Sequence, residues 1–259
     1  MRSIIKVIAG QSATIFLSIR GITLPSYFDV RDRITALKQE NERDIINLTQ
    51  RIIKPGMTVI DIGANVGLLT RHFAKLVGDK GRVLAFEPDP ETFKYFKHNT
   101  RKFPAVATSQ VALSDNCESA QFFLNARSGT SNSLVNSANS KETITVQCMT
   151  LDEFLAQEPE LKIDLIKIDI EGAELKVLSG MSETFAKQPR MRIIMEFCPK
   201  NLLGGGIDPL MLLDFMKSHG FSLEVIQDDG TLHQANDLST ITGYLGENGY
   251  ANLLCTPVG

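Results

Sequence analysis

The sequence predicts an α/β fold in which helices cover both faces of a mostly parallel sheet. After residue 56, short apolar strand patterns alternate with helical patterns. Residues 163–170 form a nearly continuous apolar run, which is typical of a central parallel strand. The chain has 259 residues, 43% hydrophobic and 22% charged, which is enough to bury a core. We expect an N-terminal helical segment, residues 1–55, and one α/β domain, residues 56–259.

The first half of the domain follows from periodicity and helix-end signals. Residues 57–62 form an apolar strand pattern, and residues 68–77 place apolar side chains on one helical face. Residues 82–86 predict a second strand. Asp89 before Pro90 predicts a helix start, because aspartate caps free amides and proline suits the first turn. Further strand patterns are residues 106–113, 120–124 and 143–147.

The second half continues the alternation. Thr150 and Glu153 have the spacing of a capping box that opens a helix. After the central strand, a short helix is expected between Gly172 and Gly180. The remaining predicted elements are a strand at 192–197, a helix from Asp208 to Gly220, and strands at 221–226 and 250–256, with a turn-rich segment at 227–249.

The turn after the first strand predicts a ligand site. It comprises Asp61-Ile62-Gly63-Ala64-Asn65-Val66-Gly67. Gly63 permits a sharp turn and close approach of a ligand, and Gly67 is expected to let the helix pack tightly on the strand. The free amides at the helix start attract a carboxylate or phosphate. Asp61 would repel a diphosphate but suits the ammonium group of a methionine moiety, and the pattern differs from the G-x-G-x-x-G of dinucleotide-binding proteins.

A second acidic residue follows the next strand. Glu87 lies directly after residues 82–86, twenty positions beyond Gly67. A carboxylate at this place can accept hydrogen bonds from both hydroxyl groups of a ribose. Glu87 and the Asp61 turn together predict a nucleoside that carries a methionine moiety.

Seven stretches of the domain together resemble one enzyme family. They are VIDIGANVGLLT (59–70), LAFEPDPETF (84–93), VALSD (111–115), TLDEFL (150–155), IDLIKIDIEGAELKVLSG (163–180), IIMEFCPKNL (193–202) and NLLCTP (252–257). In this order and combination they resemble the FkbM family of methyltransferases, which depend on S-adenosylmethionine (SAM). The resemblance implies a Rossmann-like class I methyltransferase fold with a seven-stranded sheet, and it identifies residues 56–259 as a SAM-dependent methyltransferase domain.

The resemblance also implies where SAM binds and what it methylates. SAM would lie across the ends of the first and second strands, with Gln110 and Ala112 flanking the adenine. The acceptor would be a hydroxyl group of a sugar, a glycan or a related small molecule such as a polyketide. The cofactor-binding residues expected on this basis are Asp61, Gly63, Ala64, Asn65, Gly67, Glu87, Gln110 and Ala112.

Three carboxylates are candidates for activating the acceptor. Asp169 and Glu171 lie at the end of the central strand, and Glu196 lies near the end of the next one. A hydroxyl acceptor must lose its proton during transfer, so Asp169 or Glu171 is the expected catalytic base. Alternatively, Asp169 and Glu196 hold Mg²⁺, which would acidify the hydroxyl, as in metal-dependent O-methyltransferases. Strand alternation places Lys167 beside Asp169 as its expected counter-ion.

Other functional classes stay open at this point. They are methyl transfer to nitrogen or another acceptor, an NAD-dependent oxidoreductase, and a non-catalytic nucleotide-binding module. Asp61 and the missing first glycine of G-x-G-x-x-G disfavour the oxidoreductase. Net charge is −3 and no basic run exceeds two residues. We therefore expect a small-molecule or glycan acceptor and no nucleic acid.

Composition predicts a cytoplasmic protein. The four cysteines are scattered and are expected to be reduced, buried thiols. No apolar run is long enough for stable membrane insertion. The apolar-rich residues 4–19 are expected to pack on the domain, with a membrane-surface helix, a signal peptide or a homodimer contact as alternatives. The Ser- and Asn-rich residues 126–141 predict either an exposed connection or a lid that faces the substrate.

Overall fold

The main sheet in the computed structural model contains eight strands. From one edge to the other they are Val106–Ser109 (β3), Arg82–Phe86 (β2), Thr58–Ile62 (β1), Leu165–Ile168 (β7), Arg192–Phe197 (β8), Ala251–Pro257 (β11), Phe221–Ile226 (β9) and Leu232–Gln234 (β10). Strands β3, β2, β1, β7 and β8 run parallel, and β11 runs antiparallel to both of its neighbours. The seven-stranded sheet implied by the resemblance is therefore confirmed, with β10 added at one edge.

The structure describes residues 14–26, 28, 33, 42–125, 132–135, 140–235, 237–247 and 249–258. Within these ranges the named helices are Arg43–Ile52 (α1), Leu68–Val77 (α2), Pro90–Thr100 (α3), Leu151–Leu155 (α4), Glu174–Ser179 (α5), Ser182–Lys187 (α6), Pro199–Gly204 (α7), Pro209–Ser218 (α8) and Leu238–Thr242 (α9). They lie on both faces of the sheet, and two core clusters result. Alternate residues of β1 enter opposite clusters, Val59 with Phe73 of α2 and Ile60 with Leu212 of α8.

Helix starts follow the predicted end signals. The Asp89 carboxylate accepts from the backbone N–H of Glu91 at 3.0 Å, and the Thr150 hydroxyl accepts from the backbone N–H of Glu153 at 3.1 Å. The predicted capping box at Thr150 is only half formed, because the Glu153 carboxylate is engaged by the Cys117 thiol. The capping hydrogen bonds at the N-termini of α3 and α4 thus join residues that are close in sequence.

A second, smaller sheet branches off after β3. It consists of Ala112–Leu113 (β4), Ser119–Asn125 (β5) and Ser140–Met149 (β6), in the order β4-β6-β5. The strand pattern predicted over 106–113 is confirmed as two short strands, which divide between the two sheets. The chain leaves the main sheet after β3, and β4 then pairs with β6. The predicted turn-rich segment 227–249 contains both β10 and α9.

Helix α1 packs on the domain. Its Ile45 and Leu48 side chains are buried in the same core cluster as Val59. The Arg51 guanidinium donates to the backbone carbonyls of Asp229 at 2.7 Å and Gly230 at 3.1 Å. Helix α1 is thus part of the domain core, whereas the expected packing of residues 4–19 and the boundary at residue 55 stay predictions.

Residues 14–19 are helical and expose Ile15, Phe16 and Ile19, while Leu17 is buried. Among the described residues, no helix has the length and apolarity needed to cross a bilayer. The cysteines differ from the expectation in part. Cys148 and Cys255 are buried, but Cys198 is half-buried and Cys117 is exposed.

Candidate active site

The turn after β1 is fixed by its backbone. Gly63 has a φ of 81° and Asn65 a φ of 50°, both in the left-handed region that glycine and asparagine tolerate best. A Cβ on Gly63 would lie 1.9 Å from the carbonyl oxygen of Asp169. The N–H groups of Gly63 and Ala64 both donate to the carbonyl of Phe86. The turn is therefore held between the end of β2 and the loop after β7.

Gly67 has a different packing partner from the one expected. Its φ is 85°, and a Cβ there would lie 2.7 Å from the Phe96 ring and 3.1 Å from Thr100. Both neighbours belong to α3. The prediction that Gly67 lets α2 approach the strand is corrected accordingly, since the close approach is between α2 and α3.

The Glu87 carboxylate is oriented by two backbone amides. Its Oε2 atom accepts from the N–H of Asn65 at 2.9 Å, and its Oε1 atom accepts from the N–H of Asp89 at 2.9 Å. Burial raises the pKa of Glu87 to about 8, although these hydrogen bonds favour the charged form. Each oxygen keeps a free lone pair, so the group can still receive a ligand.

A cleft of about 580 Å³ opens between β1, β2 and the loop after β7. One wall is apolar and contains Phe86, Val111 and Leu113. The polar side chains of its other wall include Glu87 and Asp169. An apolar slot with a few converging polar groups is the usual form of a small-molecule site. Four of the predicted cofactor-binding residues line it, namely Gly63, Asn65, Glu87 and Ala112.

Asp61 lies beneath the turn rather than on the cleft wall. Its side chain is fully buried, and its Oδ2 atom accepts from the Thr70 hydroxyl at 2.6 Å. The Oδ1 atom lies 3.8 Å from the Lys167 ammonium and has no hydrogen-bond partner among the described residues. This side chain points toward Thr70 and Lys167, and the expected contact of Asp61 with a ligand ammonium stays a prediction.

Gln110 also differs from the expectation. Its side chain is exposed and does not line the cleft, whereas Val111 and Ala112 do. Gln110 lies between β3 and β4, where the chain passes from one sheet to the other. The adenine-flanking role implied for Gln110 stays a prediction, and Val111 and Ala112 are the neighbouring residues that line the cleft. Ala64 and Gly67 likewise shape the turn without lining the cleft.

Lys167 is a buried cation between two carboxylates. Its side chain is 3% exposed, and its ammonium lies 3.2 Å from Asp169 Oδ2. Burial alone would lower the pKa of Lys167, but the charges of Asp169 and Asp61 outweigh burial and raise it. The interpretation of Lys167 as a counter-ion is confirmed by these distances.

The three predicted carboxylates meet at the cleft. Asp169, Glu171 and Glu196 each offer an oxygen, and these oxygens all lie within 4.8 Å of one another. We call this set the carboxylate cluster. Glu171 has a left-handed φ of 57°, and its Oε2 atom accepts from the Asn201 amide at 2.5 Å. Glu171 thus lies close enough to join Asp169 and Glu196 as a third carboxylate in a candidate metal site.

Charge crowding alters the acidity of the cluster. Burial raises the pKa of Glu196 well above its ordinary value, and the charges of Asp169 and Glu171 raise it further. Glu42, at the start of α1, is also within the electrostatic reach of Asp169, and burial raises its pKa to about 7. Because Lys167 is the described cation in contact with the cluster, the site can hold either a proton or an additional cation.

A short segment crosses the cleft from β2 to the loop after β7. The Ser133 hydroxyl donates to the carbonyls of Ile170 at 2.9 Å and Glu171 at 3.1 Å. The Asn132 amide donates to Asp89 Oδ2 at 3.3 Å. These contacts support the lid interpretation for residues 132–135, but residues 126–131 and 136–139 lie outside the described part of the chain. Sequence reasoning did not single out Asn132 or Asn201, because ordinary loop positions carry no distinctive spacing.

Comparison with known proteins identifies the family. The profile of the methyltransferase FkbM domain matches residues 61–223, more than half of the chain. The chain belongs to the FkbM methyltransferase family. The FkbM resemblance is therefore confirmed, and the protein is a SAM-dependent methyltransferase rather than an oxidoreductase or a non-catalytic module.

Relatives and solved structures agree with this assignment. The hexuronic acid methyltransferase AglP of Haloferax volcanii is 27% identical over 187 residues, which cover 71% of each chain. The 2-O-methyltransferase NoeI of Sinorhizobium fredii is 27% identical over 191 residues, covering 68% of this chain and 76% of NoeI. A candidate O-methyltransferase from Klebsiella pneumoniae superposes with a TM-score of 0.51 at 11% identity, over 97% of this chain and 90% of that one. This last likeness shows the shared fold alone.

Proposed function

We propose that this FkbM-family enzyme transfers the methyl group of SAM to a hydroxyl group of a sugar, a glycan or a related small molecule. The carboxylate cluster beside the cleft carries this proposal, because a hydroxyl acceptor needs a proton acceptor close to the transferred methyl. The names of AglP and NoeI, a hexuronic acid methyltransferase and a 2-O-methyltransferase, favour a sugar.

The cleft fits SAM by the chemistry of its walls. The Glu87 carboxylate offers two oxygens that are already oriented by backbone amides, as a ribose diol requires. Val111 and Leu113 give an apolar surface suited to adenine. Gly63 and Asn65 of the turn also line the cleft. Asp61 would act indirectly in this arrangement, since it holds Thr70 and Lys167 under the turn.

The residues of the chain would then position and deprotonate the acceptor. When bound, SAM would supply an electrophilic methyl group, with S-adenosylhomocysteine as the leaving group. Asp169 and Glu171 line the same cleft, so either can accept the hydroxyl proton as the new oxygen–carbon bond forms and the sulfur–carbon bond breaks. Glu196 lies within 4.8 Å of both and has a raised pKa, which suits it to take up that proton.

A divalent cation is the second candidate for activating the hydroxyl. Three carboxylates converge within 4.8 Å, and carboxylate oxygens are the ligands that Mg²⁺ prefers. Asp169, Glu171 and Glu196 would hold the ion, which would lower the pKa of the acceptor hydroxyl. Loss of turnover in EDTA and its recovery with Mg²⁺ would favour this candidate over a carboxylate base.

Methyl-labelled SAM tests the proposed transfer to oxygen. We expect label to enter sugar acceptors as a methyl ether, which survives alkaline hydrolysis. A methyl ester on a carboxylate would be released by the same treatment, and fragmentation in a mass spectrometer distinguishes an N-methyl group from an O-methyl group. Label found only in base-labile or N-methyl products, with none in base-stable ethers, would contradict the proposal.

The Glu87 carboxyl predicts a pH dependence of nucleoside binding. Its pKa is raised to about 8, so at pH 7 it is mostly protonated in the ligand-free protein. Ribose hydroxyls donate better to the ionised form, so binding should strengthen as pH rises to 8 and level off above it. We expect the dissociation constant of 5′-methylthioadenosine, which lacks the ionisable amino acid, to fall about tenfold between pH 7 and pH 9.

The matched control for this measurement is Glu87→Gln. It keeps the shape of the side chain and removes its titration, so its dissociation constant should stay flat across the same pH range. An equal pH dependence in both proteins would show that Glu87 does not contact the ribose.

A further inference from the structure

An acidic groove lies at the same edge of the sheet as the cleft, on the far side of the carboxylate cluster. It is open to solvent and spans about 1300 Å³, solvent included, between α1, the turn from β9 to β10, and the segment that leads into β11. Four carboxylate side chains line it, from Asp44, Asp228, Asp229 and Glu247. No lysine or arginine occurs among the described residues of its lining. We call this cavity the acidic groove.

The acidic groove lies next to the carboxylate cluster. Asn252, which lines the groove, pairs directly with Glu196 across β11 and β8. Directly opposed residues of antiparallel strands place their side chains on the same face. Tyr250 also lines the groove, and burial together with the charge of Glu196 raises its pKa. The groove and the carboxylate cluster are therefore neighbours at this edge of the sheet.

Side-chain contacts hold the walls of the acidic groove in place. The Asn252 amide donates to Asp44 Oδ2 at 2.7 Å, which joins β11 to α1. The His233 and Tyr244 rings stack with their centroids 5.3 Å apart and an interplanar angle of 30°. An aromatic pair of this kind offers a flat apolar surface beside acidic side chains. Hydroxyl-bearing rings need both features, an apolar face for the ring and acceptors for its hydroxyl groups.

Glu196 supplies an observation that itself points to a ligand. Its side chain is half-buried and makes no hydrogen bond to any described residue, and its nearest charged neighbours are Asp169 and Glu171. A carboxylate crowded by two others is stabilised by any hydrogen-bond donor that a ligand brings to it. A ligand that enters from the acidic groove with a hydroxyl or ammonium group would supply the missing donor.

We propose that the acidic groove binds the methyl acceptor and selects a hydroxyl-bearing ring with a cationic substituent, such as an amino sugar, over a uronic acid. This inference rests on the proposed O-methylation and names the acceptor class for it. Arg51 contacts the turn from β9 to β10, where its guanidinium is occupied by the carbonyls of Asp229 and Gly230. Arg51 therefore compensates only part of the negative charge, and an anionic acceptor meets net repulsion.

Three methyl glycosides that share one ring test the selection. They are methyl glucosaminide, methyl glucoside and methyl glucuronide, which present a cationic, a neutral and an anionic substituent. With S-adenosylhomocysteine present, we expect the glucosaminide to bind roughly tenfold more tightly than the glucuronide, with the glucoside between them. The difference should shrink as ionic strength rises. Equal binding of all three, tighter binding of the glucuronide, or no binding of any would overturn the proposal.

Reversing the charge of two groove carboxylates tests whether the groove sets the ligand preference. Asp228 and Glu247 are exposed at the groove, so the double variant Asp228→Lys/Glu247→Lys should fold and should bind the glucuronide more tightly than the glucosaminide. The matched control is Asp79→Lys/Glu160→Lys, which makes the same charge change at exposed positions ahead of β2 and β7. An identical ligand preference in both double variants would overturn the assignment to this groove.

These binding measurements are independent of turnover. If label from SAM never enters a base-stable ether while the glycosides keep the expected order of affinity, the proposed O-methylation fails and the groove assignment stands. If ethers form but the groove variants leave acceptor preference unchanged, the groove assignment fails and the O-methylation stands.

Discussion

Replacing Lys167 with methionine is expected to lower the free energy of unfolding by about 3–5 kcal/mol. The ammonium lies 3.2 Å from Asp169 and 3.8 Å from Asp61, and the lysine side chain is 3% exposed. Without it, the fully buried Asp61 carboxylate keeps only the Thr70 hydroxyl as a partner. A buried charge that loses its counter-ion is far more costly than the pair itself is stabilising. Chemical denaturation monitored by circular dichroism measures the loss.

Two further variants separate this effect from simple removal of a charge. Lys162→Met removes a lysine that is 74% exposed and pairs with Asp164 at 2.7 Å, so we expect a change within about 1 kcal/mol. The double variant Asp61→Asn/Lys167→Met removes both partners and should recover much of the lost stability. A Lys167→Met protein as stable as Lys162→Met would refute the buried ion pair.

Replacing Asp169 with asparagine is expected to lower kcat by about 10²–10⁴-fold, the usual contribution of a positioned proton acceptor. Asp169 lines the cleft and shares the carboxylate cluster with Glu171 and Glu196. Asparagine has the same shape but cannot accept the hydroxyl proton. Affinity for SAM should stay close to that of the wild type, because Glu87 and the turn after β1 are untouched. Single-turnover transfer of labelled methyl measures the chemical step directly.

The control for Asp169→Asn is the same substitution at the other end of the same strand. Asp164 precedes β7 and caps the N–H of Thr58 at 3.0 Å, a contact that asparagine can keep. We expect Asp164→Asn to retain wild-type turnover. If both variants turn over at the wild-type rate, Asp169 is not the proton acceptor, and a normal rate for Asp169→Asn with a loss for Glu171→Gln would move the role to Glu171.

Local signals account for the parts of the site that sequence analysis predicted. The Asp89 cap on α3, the left-handed Gly63 and the Glu87 carboxylate after β2 all depend on residues close to them in the chain. The alternation of β7 likewise sufficed to place Lys167 beside Asp169. Such features follow from strand period, turn chemistry and capping, which a sequence displays directly.

Contacts between distant segments account for the parts of the site that sequence analysis did not predict. The inward direction of Asp61 depends on Lys167, which comes from a different strand. The acidic groove joins Asp44 to Asn252, which are 208 positions apart. Gln110 is exposed because the chain passes there from the main sheet to the second sheet. Neither the hydrophobic pattern nor turn residues predict this change of sheet. Each of these requires the order of the strands before a side-chain direction can be assigned.

The backbone at Glu171 limits which residue types can occupy its place cheaply. A φ of 57° costs most side chains about 1–3 kcal/mol, and glycine or asparagine would relieve much of that strain. The next residue is a left-handed glycine pressed against the Asn201 carbonyl, so the loop cannot relax by moving toward α7. A glutamate held in such a conformation is a poor choice for folding alone. This unfavourable conformation indicates that Glu171 is kept for its function. A Glu171→Gly protein should have a higher free energy of unfolding and a lower turnover.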